Sequence, residues 1–327
     1  MSPINKAILL VGGKGTRLMP LTTKTPKPML KIAGAPVTEH QIIKAREAGI
    51  SEIVLATSYL ADVFEPYFGD GSRFGIKIKY AYETEPLGTG GAIANAAQQL
   101  ELGENEALFI FNGDVLSAHD LAAQAKLHID SNAAVTLHLV EVPDARAYGC
   151  VPISADSKVL QFLEKMDNPI AKTINAGCYI FSNRALKEIP KGSVVSVERE
   201  TFPALLSSGQ NIYGYVDGGY WIDMGTPESM IRASRDLISN PALSKATPEV
   251  INHTLVMREV QLHSSSKVGE GSYLESGVVI EANSIVNGSI VGEKAHIESD
   301  VLIENSYIAP GSRVTSGSKI RGEIFGF

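Results

Sequence analysis

The stretch LLVGGKGTRLMPLTTKTPKPML, from Leu9 to Leu30, is the part of the chain around which the predicted fold is arranged. It continues an apolar run that begins at Ala7 and is typical of a buried strand. Gly12, Gly13 and Gly15 follow closely. Because glycine accepts positive φ and carries no side chain, a strand that ends this way can turn sharply and aim its N–H groups at an anion. The pattern therefore predicts a phosphate-binding loop, with a plain tight turn as the alternative.

Two cations accompany these glycines. Arg17 offers a planar guanidinium fork that suits phosphate oxygens. Lys27 stands between Pro26 and Pro28, in a segment that cannot be helical throughout. The spacing matches neither G-x-x-x-x-G-K-[ST] nor the three-glycine turn of dinucleotide-binding strands. We therefore expect a different loop wrapped around a nucleoside triphosphate, with both cations reaching its phosphates.

The composition indicates a globular protein with a substantial core. The chain has 327 residues, of which 44% are hydrophobic and 20% charged, and its net charge is -7. It has no basic run, so we expect no nucleic-acid partner. It has no long apolar stretch and no signal peptide, so we expect no membrane association and a cytoplasmic location. The two cysteines, Cys150 and Cys178, are expected to be reduced core thiols.

Strand and helix patterns alternate in the first half of the chain. Helical spacing covers residues 36–48, 62–67 and 92–100, and strand-like runs cover 53–56, 76–82, 107–111 and 133–140. The alternation predicts an α/β fold with a Rossmann-like mixed, mainly parallel sheet flanked by helices. Ligands bind at the carboxyl ends of the strands in such sheets.

Asp114 is a candidate metal ligand, since it follows the strand ALFIFN and lies at the carboxyl end of that strand. A triphosphate reaction needs a hard divalent cation, and Mg²⁺ prefers one or two carboxylates together with phosphate oxygens. A helix cap is the alternative role for an aspartate in a turn. We predict Mg²⁺ as the cofactor, and the histidines show no zinc spacing.

The full string GGKGTRL-x-PLT-x-x-x-PKPM resembles the signature of sugar-1-phosphate nucleotidylyltransferases, and E-P-L-G-T resembles their nucleobase loop. The resemblance implies a nucleotidyltransferase fold and a catalytic set of Arg17, Lys27, Asp114 and Lys165. It implies the following nucleotide-binding residues: Leu10, Gly12, Gly13, Gly15, Thr16, Arg17, Lys27, Glu85, Leu87, Gly88, Thr89, Asn112 and Gly113.

The later stretches YG-x-V, F-x-EK, NAG-x-Y-x-F and W-x-D-x-GT resemble the sugar-phosphate half of the same family. By that resemblance Asp114 and Asp223 hold the metal, and Lys165 meets the sugar phosphate. A hexose needs several aimed donors and acceptors, which fits this set. The implied sugar-phosphate residues are Asp114, Tyr148, Gly149, Glu164, Lys165, Asn175, Gly177, Glu198 and Asp223.

The stretch SVERETFP, residues 196–203, resembles the family branch that transfers a guanylyl group to mannose 1-phosphate. Together with FNGDVLS and NAGCYIF, it is most similar to actinobacterial members. The implied reaction converts GTP and mannose 1-phosphate into GDP-mannose and diphosphate. A glucose-1-phosphate thymidylyl- or uridylyltransferase remains an alternative, because the same residues would serve it. A nucleotide-sugar-binding regulatory homologue is the alternative from outside the enzymes.

The pattern changes period near the carboxyl end. Aliphatic residues recur every sixth position, with two slips of one residue, at Leu262, Val268, Leu274, Ile280, Val286, Val291, Ile297, Ile303, Ile308, Val314 and Ile320. This hexapeptide repeat predicts a parallel β-helix, which is left-handed in the proteins it resembles. We predict a catalytic domain over 1–240, a linker over 241–252 and the β-helix over 253–327. Homo-oligomerisation is its expected role, with an acetyltransferase as the alternative.

Overall fold

The structure is a computed structural model that describes residues 4–58, 60–163 and 165–327. The chain divides into two compact units. The first unit runs up to Lys14 and from Lys44 to Trp221, and the second comprises Gly15–Ile43 and Ile222–Phe327. The domain boundaries expected from the sequence stay a prediction.

Strands and short helices alternate through residues 6–239. The strands are β1 (Lys6–Leu10), β2 (Lys31–Ile32), β3 (Ala35–Pro36), β4 (Glu52–Thr57), β5 (Lys77–Tyr82), β6 (Ala107–Asn112), β7 (Val115–Ser117), β8 (Val135–Glu141), β9 (Thr173–Ser182), β10 (Ile212–Val216) and β11 (Trp221–Asp223). The helices are α1 (Val37–Glu47), α2 (Phe64–Phe68), α3 (Gly88–Ala97), α4 (Leu121–Asp130), α5 (Asn183–Leu186), α6 (Phe202–Ser207) and α7 (Pro227–Ser239).

A seven-stranded sheet forms the core of the first unit, in the order β10-β8-β9-β6-β1-β4-β5. Strand β9 is antiparallel to both of its neighbours, and every other pair is parallel. The central strands are apolar and almost entirely buried, as strands covered on both faces must be. The mixed, mainly parallel sheet expected from the sequence is confirmed.

Helix α3 begins at Gly88 rather than at Ala92, where the sequence predicts its start. Its first turn lies close to the backbone at Val195, because Gly90 N donates a hydrogen bond to Val195 O at 2.8 Å. A Cβ at Gly90 would lie 3.2 Å from that oxygen and 2.9 Å from the Val195 side chain. The sequence places the start of α3 too late, because glycine usually interrupts a helix. Here the glycines instead allow the first turn of the helix to approach another segment. No helix among the described residues has the length and apolar composition needed to cross a bilayer.

The carboxyl-terminal repeat forms three parallel sheets of short strands. Tyr273 pairs with Ile290, and Ile290 pairs with Tyr307, so each coil stacks on the next. The parallel coils fit the left-handed β-helix expected from the sequence. Its strands are β12 (Leu255–Val256), β13 (Gln261–Leu262), β14 (Lys267–Gly269), β15 (Tyr273–Leu274), β16 (Val279–Ile280), β17 (Ile285–Asn287), β18 (Ile290–Val291), β19 (His296–Ile297), β20 (Leu302–Glu304), β21 (Tyr307–Ile308), β22 (Arg313–Val314), β23 (Lys319–Arg321) and β24 (Ile324–Phe325).

The aliphatic ladder fills the interior of this β-helix. From Leu274 to Ile320 the predicted positions are all buried in one cluster. The six-residue spacing shortens by one residue at two places in the repeat. These lie between Val286 and Val291 and between Ile303 and Ile308. Leu262 departs from the expectation, since its exposed fraction is 45%. It lies on β13, an edge strand whose one hydrogen-bonded neighbour is β16, so no earlier coil covers it.

Candidate active site

Close contacts account for some of the glycines that follow β1 and β6. Leu10 stands in register with Asn112 of β6, and Gly113 N donates to Leu10 O at 2.9 Å. A Cβ at Gly113 would lie 2.3 Å from that oxygen, and one at Gly12 would lie 2.5 Å from Ser58 Oγ. Gly13 has open space around it, so no protein contact demands a glycine there. Its bare backbone can therefore approach a ligand.

A buried tyrosine hydroxyl joins several of the predicted site residues in the first unit. Asn175 Nδ2 donates to Tyr179 Oη at 2.9 Å, and Asn112 Nδ2 donates to it at 3.4 Å. The hydroxyl in turn donates to Glu198 Oε1 at 3.4 Å. Burial raises the pKa of Tyr179 well above its usual value, so the hydroxyl keeps its proton. Asn112, Asn175 and Glu198, which belong to three separate motifs, are therefore held together.

The predicted nucleobase loop is tied to the same glutamate. Thr89 Oγ1 donates to Glu198 Oε2 at 2.9 Å and accepts a hydrogen bond from Val197 N at 2.8 Å. Leu87 O accepts from Val195 N at 2.9 Å. Three hydrogen bonds therefore link the loop to the segment 195–198. Both carboxylate oxygens of Glu198 accept hydrogen bonds that hold the side chain in place. Its role is therefore more than that of an acidic residue at the start of a helix.

In the second unit, the phosphate-binding loop folds over Lys27. Gly15 has φ +61°, and a Cβ there would lie 2.9 Å from Lys27 Cβ. Thr22 Oγ1 donates to Gly15 O at 2.9 Å. Lys27 is largely buried, and its Nζ lies 3.9 Å from Asp223 Oδ1. A predicted phosphate ligand and a predicted metal ligand are therefore neighbours within this unit.

Arg17 lies beside the segment that follows Asp223. A Cβ at Gly225 would come within 2.9 Å of both terminal nitrogens of the Arg17 guanidinium. The guanidinium thus occupies the space that any larger residue at this position would fill. Arg17 itself is exposed, so its fork is accessible to an anion from solvent. Arg17, Lys27 and Asp223 are three site residues that the second unit brings together.

The remaining predicted residues have fewer structural ties. Asp114 lies in the turn between β6 and β7, and Glu85 and Lys165 are exposed. The Tyr148 ring packs edge-on against Trp221 at 6.0 Å between centroids. Gly177 has φ +76°, and a Cβ there would lie 3.0 Å from Asn112 Nδ2. Thr16 is exposed and Gly149 lies in a loop, whereas Gly88 is the first residue of α3. Glu164 lies outside the described residues.

The predicted carboxylates suit a cation that takes few protein ligands and completes its coordination with other oxygens. Among the described residues, no three histidine, cysteine, aspartate or glutamate side chains are arranged to hold a metal ion. That excludes a closed protein cage within the described part of the chain. A hard divalent ion can be held by one or two carboxylates and completes its coordination with phosphate oxygens and water. A carboxylate beside a predicted phosphate-binding lysine fits such an ion. The role of Asp114 and Asp223 as metal ligands stays a prediction.

Three residues escaped the sequence analysis. Tyr179 lies in a strand pattern in which an aromatic residue normally signals core packing. Ser58 donates to Gly12 O at 2.5 Å, and Glu83, rather than Glu85, accepts from Leu87 N at 3.2 Å. Burial raises the pKa of Glu83. For Glu83, the only indication in the sequence was its position as an acidic residue just before the Gly-rich loop.

Comparison with known proteins gives consistent matches. Residues 6–240 match the family described as nucleotidyl transferase. A mannose-1-phosphate guanylyltransferase from Mycobacterium tuberculosis is 49% identical over 275 residues, which cover 84% of this chain and 74% of that protein. Mannose-1-phosphate guanylyltransferase 1 from Arabidopsis thaliana is 33% identical over 288 residues, covering 86% and 78%.

Solved structures agree in fold. HddC from Yersinia pseudotuberculosis, complexed with GMP-PN, has a TM-score of 0.60 and 29% identity, and the match covers 72% of this chain and 100% of that one. A putative glucose-1-phosphate thymidylyltransferase from Bacillus anthracis has a TM-score of 0.62 at 23% identity, covering 70% and 93%. The second likeness is informative for the fold alone. The fold class predicted from the sequence is therefore shared with nucleotidyltransferases.

Proposed function

Because this chain belongs to the nucleotidyl transferase family, as its motifs predicted, we propose that it transfers a guanylyl group from GTP to mannose 1-phosphate. The products are GDP-mannose and diphosphate. The observation that carries the proposal is the hydrogen-bonded set around Tyr179, which ties the predicted nucleobase loop to the predicted sugar residues. Such a set orients two substrates against each other.

The choice of substrates draws on the relatives. The relatives from Mycobacterium tuberculosis and Arabidopsis thaliana are named for mannose 1-phosphate and a guanylyl group. The HddC structure was solved with GMP-PN, a guanine nucleotide analogue. The SVERETFP stretch, which the sequence analysis assigned to the same branch, contains Glu198. These points favour GTP over the thymidylyl and uridylyl alternatives.

The chemistry proposed is an in-line displacement. An oxygen of the sugar phosphate attacks the α-phosphorus of GTP, the new P–O bond forms, and the bond to diphosphate breaks. Because the nucleophile is already an anion, no general base is required. Rate acceleration then comes from positioning and from neutralising charge. A bound Mg²⁺, with Asp114 and Asp223 as its protein ligands, would supply further charge neutralisation at the phosphates.

The cations divide this task. Arg17, exposed beside Gly225, takes the charge that develops on the leaving diphosphate. Lys27, buried near Asp223, bridges phosphate oxygens at the reacting centre. Lys165 is exposed and long enough to hold the sugar phosphate in line. Asn175 can both donate hydrogen bonds to the sugar hydroxyls and accept from them, and the Glu198 carboxylate accepts from them.

A matrix of substrates tests the proposal most directly. Four nucleoside triphosphates are each combined with mannose 1-phosphate and glucose 1-phosphate, with Mg²⁺ present, and diphosphate release is measured. We expect the pair GTP and mannose 1-phosphate to give the highest kcat/KM. A higher value for a thymidine or uridine nucleotide with glucose 1-phosphate would replace the proposal by the first alternative. Tight binding of GDP-mannose without turnover would establish the regulatory alternative.

Self-association through the β-helix is the proposed assembly mode. The first coil leaves Leu262 and Val256 exposed at an uncovered strand edge, and a second copy of this chain could cover them. Light scattering after size exclusion measures the mass. A monomeric mass across a hundredfold range of protein concentration would overturn this part of the proposal.

A further inference from the structure

A tight hairpin follows the phosphate-binding loop in the second unit. Strands β2 and β3 pair in antiparallel fashion, and the two residues between them, Ala33 and Gly34, have φ +43° and +90°. A two-residue turn with both φ values positive is the type I′ hairpin. Alanine rarely adopts this conformation, so neighbouring groups must hold the turn in place.

The tip of this hairpin is enclosed by carboxyl-terminal residues. Ala33 N donates to Ser234 Oγ of helix α7 at 3.0 Å, and Ser234 is almost fully buried. A Cβ at Gly34 would lie 2.6 Å from Pro248 Cδ and 3.1 Å from Leu255 Cδ2. Pro248 precedes the β-helix, and Leu255 lies on its first strand. The turn therefore fits only with glycine at its second position.

Two polar contacts extend this attachment. Lys31 Nζ lies 3.9 Å from Glu275 Oε2, on the β-helix. His40 of α1 bridges Ile32 O at 3.0 Å through Nε2 and Ser244 Oγ at 2.7 Å through Nδ1. Burial lowers the pKa of His40 to about 4, so one ring nitrogen donates and the other accepts at neutral pH. The hairpin is therefore attached to the carboxyl-terminal residues at its tip and along its sides.

The first residues of α1, directly after the hairpin, fix the backbone that follows Lys27. Val37 N donates to Leu30 O at 3.2 Å, and Thr38 Oγ1 donates to Pro28 O at 2.9 Å. Leu30 N donates to Lys27 O at 3.1 Å. A continuous set of contacts thus joins the β-helix to the lysine of the phosphate-binding loop.

We propose that the segment leading into the carboxyl-terminal repeat, from helix α7 to the first β-helix strand, positions the predicted phosphate-binding loop through the enclosure of the Ala33–Gly34 turn by Ser234, Pro248 and Leu255. These three are positioning residues, since they act through the hairpin on Lys27 and Arg17. The inference rests on the proposed role of those two cations in binding the triphosphate. It gives helix α7 and the start of the β-helix a part in nucleotide binding, separate from the self-association expected of the repeat.

Gly34→Ala is the informative variant. The added Cβ must push the turn away from Pro248, so we expect the KM for GTP to rise and kcat to fall, each by about tenfold, while the KM for mannose 1-phosphate stays within twofold. Gly311→Ala is the matched control, because Gly311 has φ +70° in the same unit and a Cβ there would have nothing within 4 Å. It carries the same backbone strain without a collision, so its kinetic constants should equal those of the unaltered protein.

A compensating change separates positioning from general damage. Pro248→Ala removes the two ring atoms that the new Cβ would meet, so the double variant Gly34→Ala/Pro248→Ala should recover most of the GTP affinity. Ser234→Ala removes the hydrogen bond to Ala33 N and should raise the KM for GTP severalfold. This variant decides the question if Gly34→Ala does not fold.

The outcomes distinguish this inference from the proposed function. If the unaltered protein releases diphosphate and folded Gly34→Ala and Ser234→Ala variants match it in both constants for GTP, the inference is overturned and the function stands. If the unaltered protein shows no turnover, calorimetric GTP affinity replaces KM, and unchanged affinity in both variants again overturns the inference. Absence of GTP binding by the unaltered protein would overturn both.

Discussion

The set around Tyr179 and the β-helix interior are held together in opposite ways. In the β-helix each buried aliphatic residue stacks on others that lie one coil away in sequence, and any of them could be exchanged for another aliphatic of its size. Around Tyr179 the contacts are single hydrogen bonds between distant positions, as between Thr89 and Glu198. A repeat spreads its stability over many equivalent contacts, whereas the site depends on individual atoms. Substitutions should therefore change stability in the β-helix interior and activity around Tyr179.

The largest effect expected is the loss of stability from a truncation inside the repeat. Ile297 is fully buried in the aliphatic ladder, so Ile297→Ala should lower the free energy of unfolding by about 2–5 kcal/mol. Leu262→Ala is the matched change at an exposed position of the same ladder and should cost less than about 1 kcal/mol. Chemical denaturation followed by circular dichroism measures both. Equal losses would show that the uncovered coil is packed as tightly as the interior.

A comparable change in activity is expected at Arg17. Arg17→Ala removes the guanidinium that meets the leaving diphosphate, so kcat should fall by roughly 10²-fold, with the unfolding free energy unchanged. Steady-state diphosphate release gives kcat, and thermal denaturation provides the control on folding. Turnover within twofold of the unaltered protein would remove Arg17 from the catalytic set.

Asp223→Asn tests the predicted metal ligand. Replacing the carboxylate by an amide keeps its shape and removes one charge, so the Mg²⁺ concentration for half-maximal activity should rise by about tenfold. Asp236, on the following helix, offers Asp236→Asn as a control outside the predicted site. Titration of activity against Mg²⁺ gives both values. An unchanged requirement in Asp223→Asn would show that this carboxylate does not bind the ion.

Acid should destabilise the sheet region before the repeat. His119 and His138 stack at 3.7 Å between ring centroids, and burial lowers the pKa of His138 to about 3 and that of His119 well below the usual 6.5. Lys44, whose Nζ approaches His119, further opposes protonation, while Asp217 favours it at His138. The unfolded chain binds protons below pH 6.5 that the folded chain does not. As the pH falls below that value, stability should therefore decrease by about 1.4 kcal/mol per pH unit for each such histidine.

Thermal denaturation between pH 7 and pH 5 measures this loss. The variant His138→Phe keeps a ring against His119 and removes one of the buried histidines whose pKa is lowered, so its melting temperature should depend less steeply on pH. Parallel slopes for the variant and the unaltered protein would show that His138 does not resist protonation in the folded chain.

The smallest effect is expected at the hydroxyl that joins the site. Tyr179→Phe keeps the buried ring and deletes the atom shared by Asn175, Asn112 and Glu198. We expect about a fivefold rise in the KM for mannose 1-phosphate, because each residue keeps other polar neighbours. Phe181→Leu, further along the same strand and on the same face, is the control for altered ring packing. If both variants behave alike, the hydroxyl has no role of its own.

The sequence predicted the sheet, the strand ends and the repeat because each follows from a local period. It could not predict that Tyr179 would join three motifs, since its place in an apolar strand resembles that of any core aromatic residue. It also placed the start of α3 at Ala92, because glycines at 88, 90 and 91 look like a loop until Val195 is known to lie against them. Leu262 fits the period perfectly yet is exposed, because a period carries no information about which coil is the outermost.

The close contact between Gly225 and the Arg17 guanidinium has a consequence for comparing relatives of this chain. A Cβ at position 225 would require the guanidinium, the flexible end of an exposed side chain, to move. A relative with a larger residue there would therefore hold this arginine in a different place while keeping every charged residue of the predicted site. An inventory of acids and bases alone would not reveal that difference, whereas the size of one uncharged residue would.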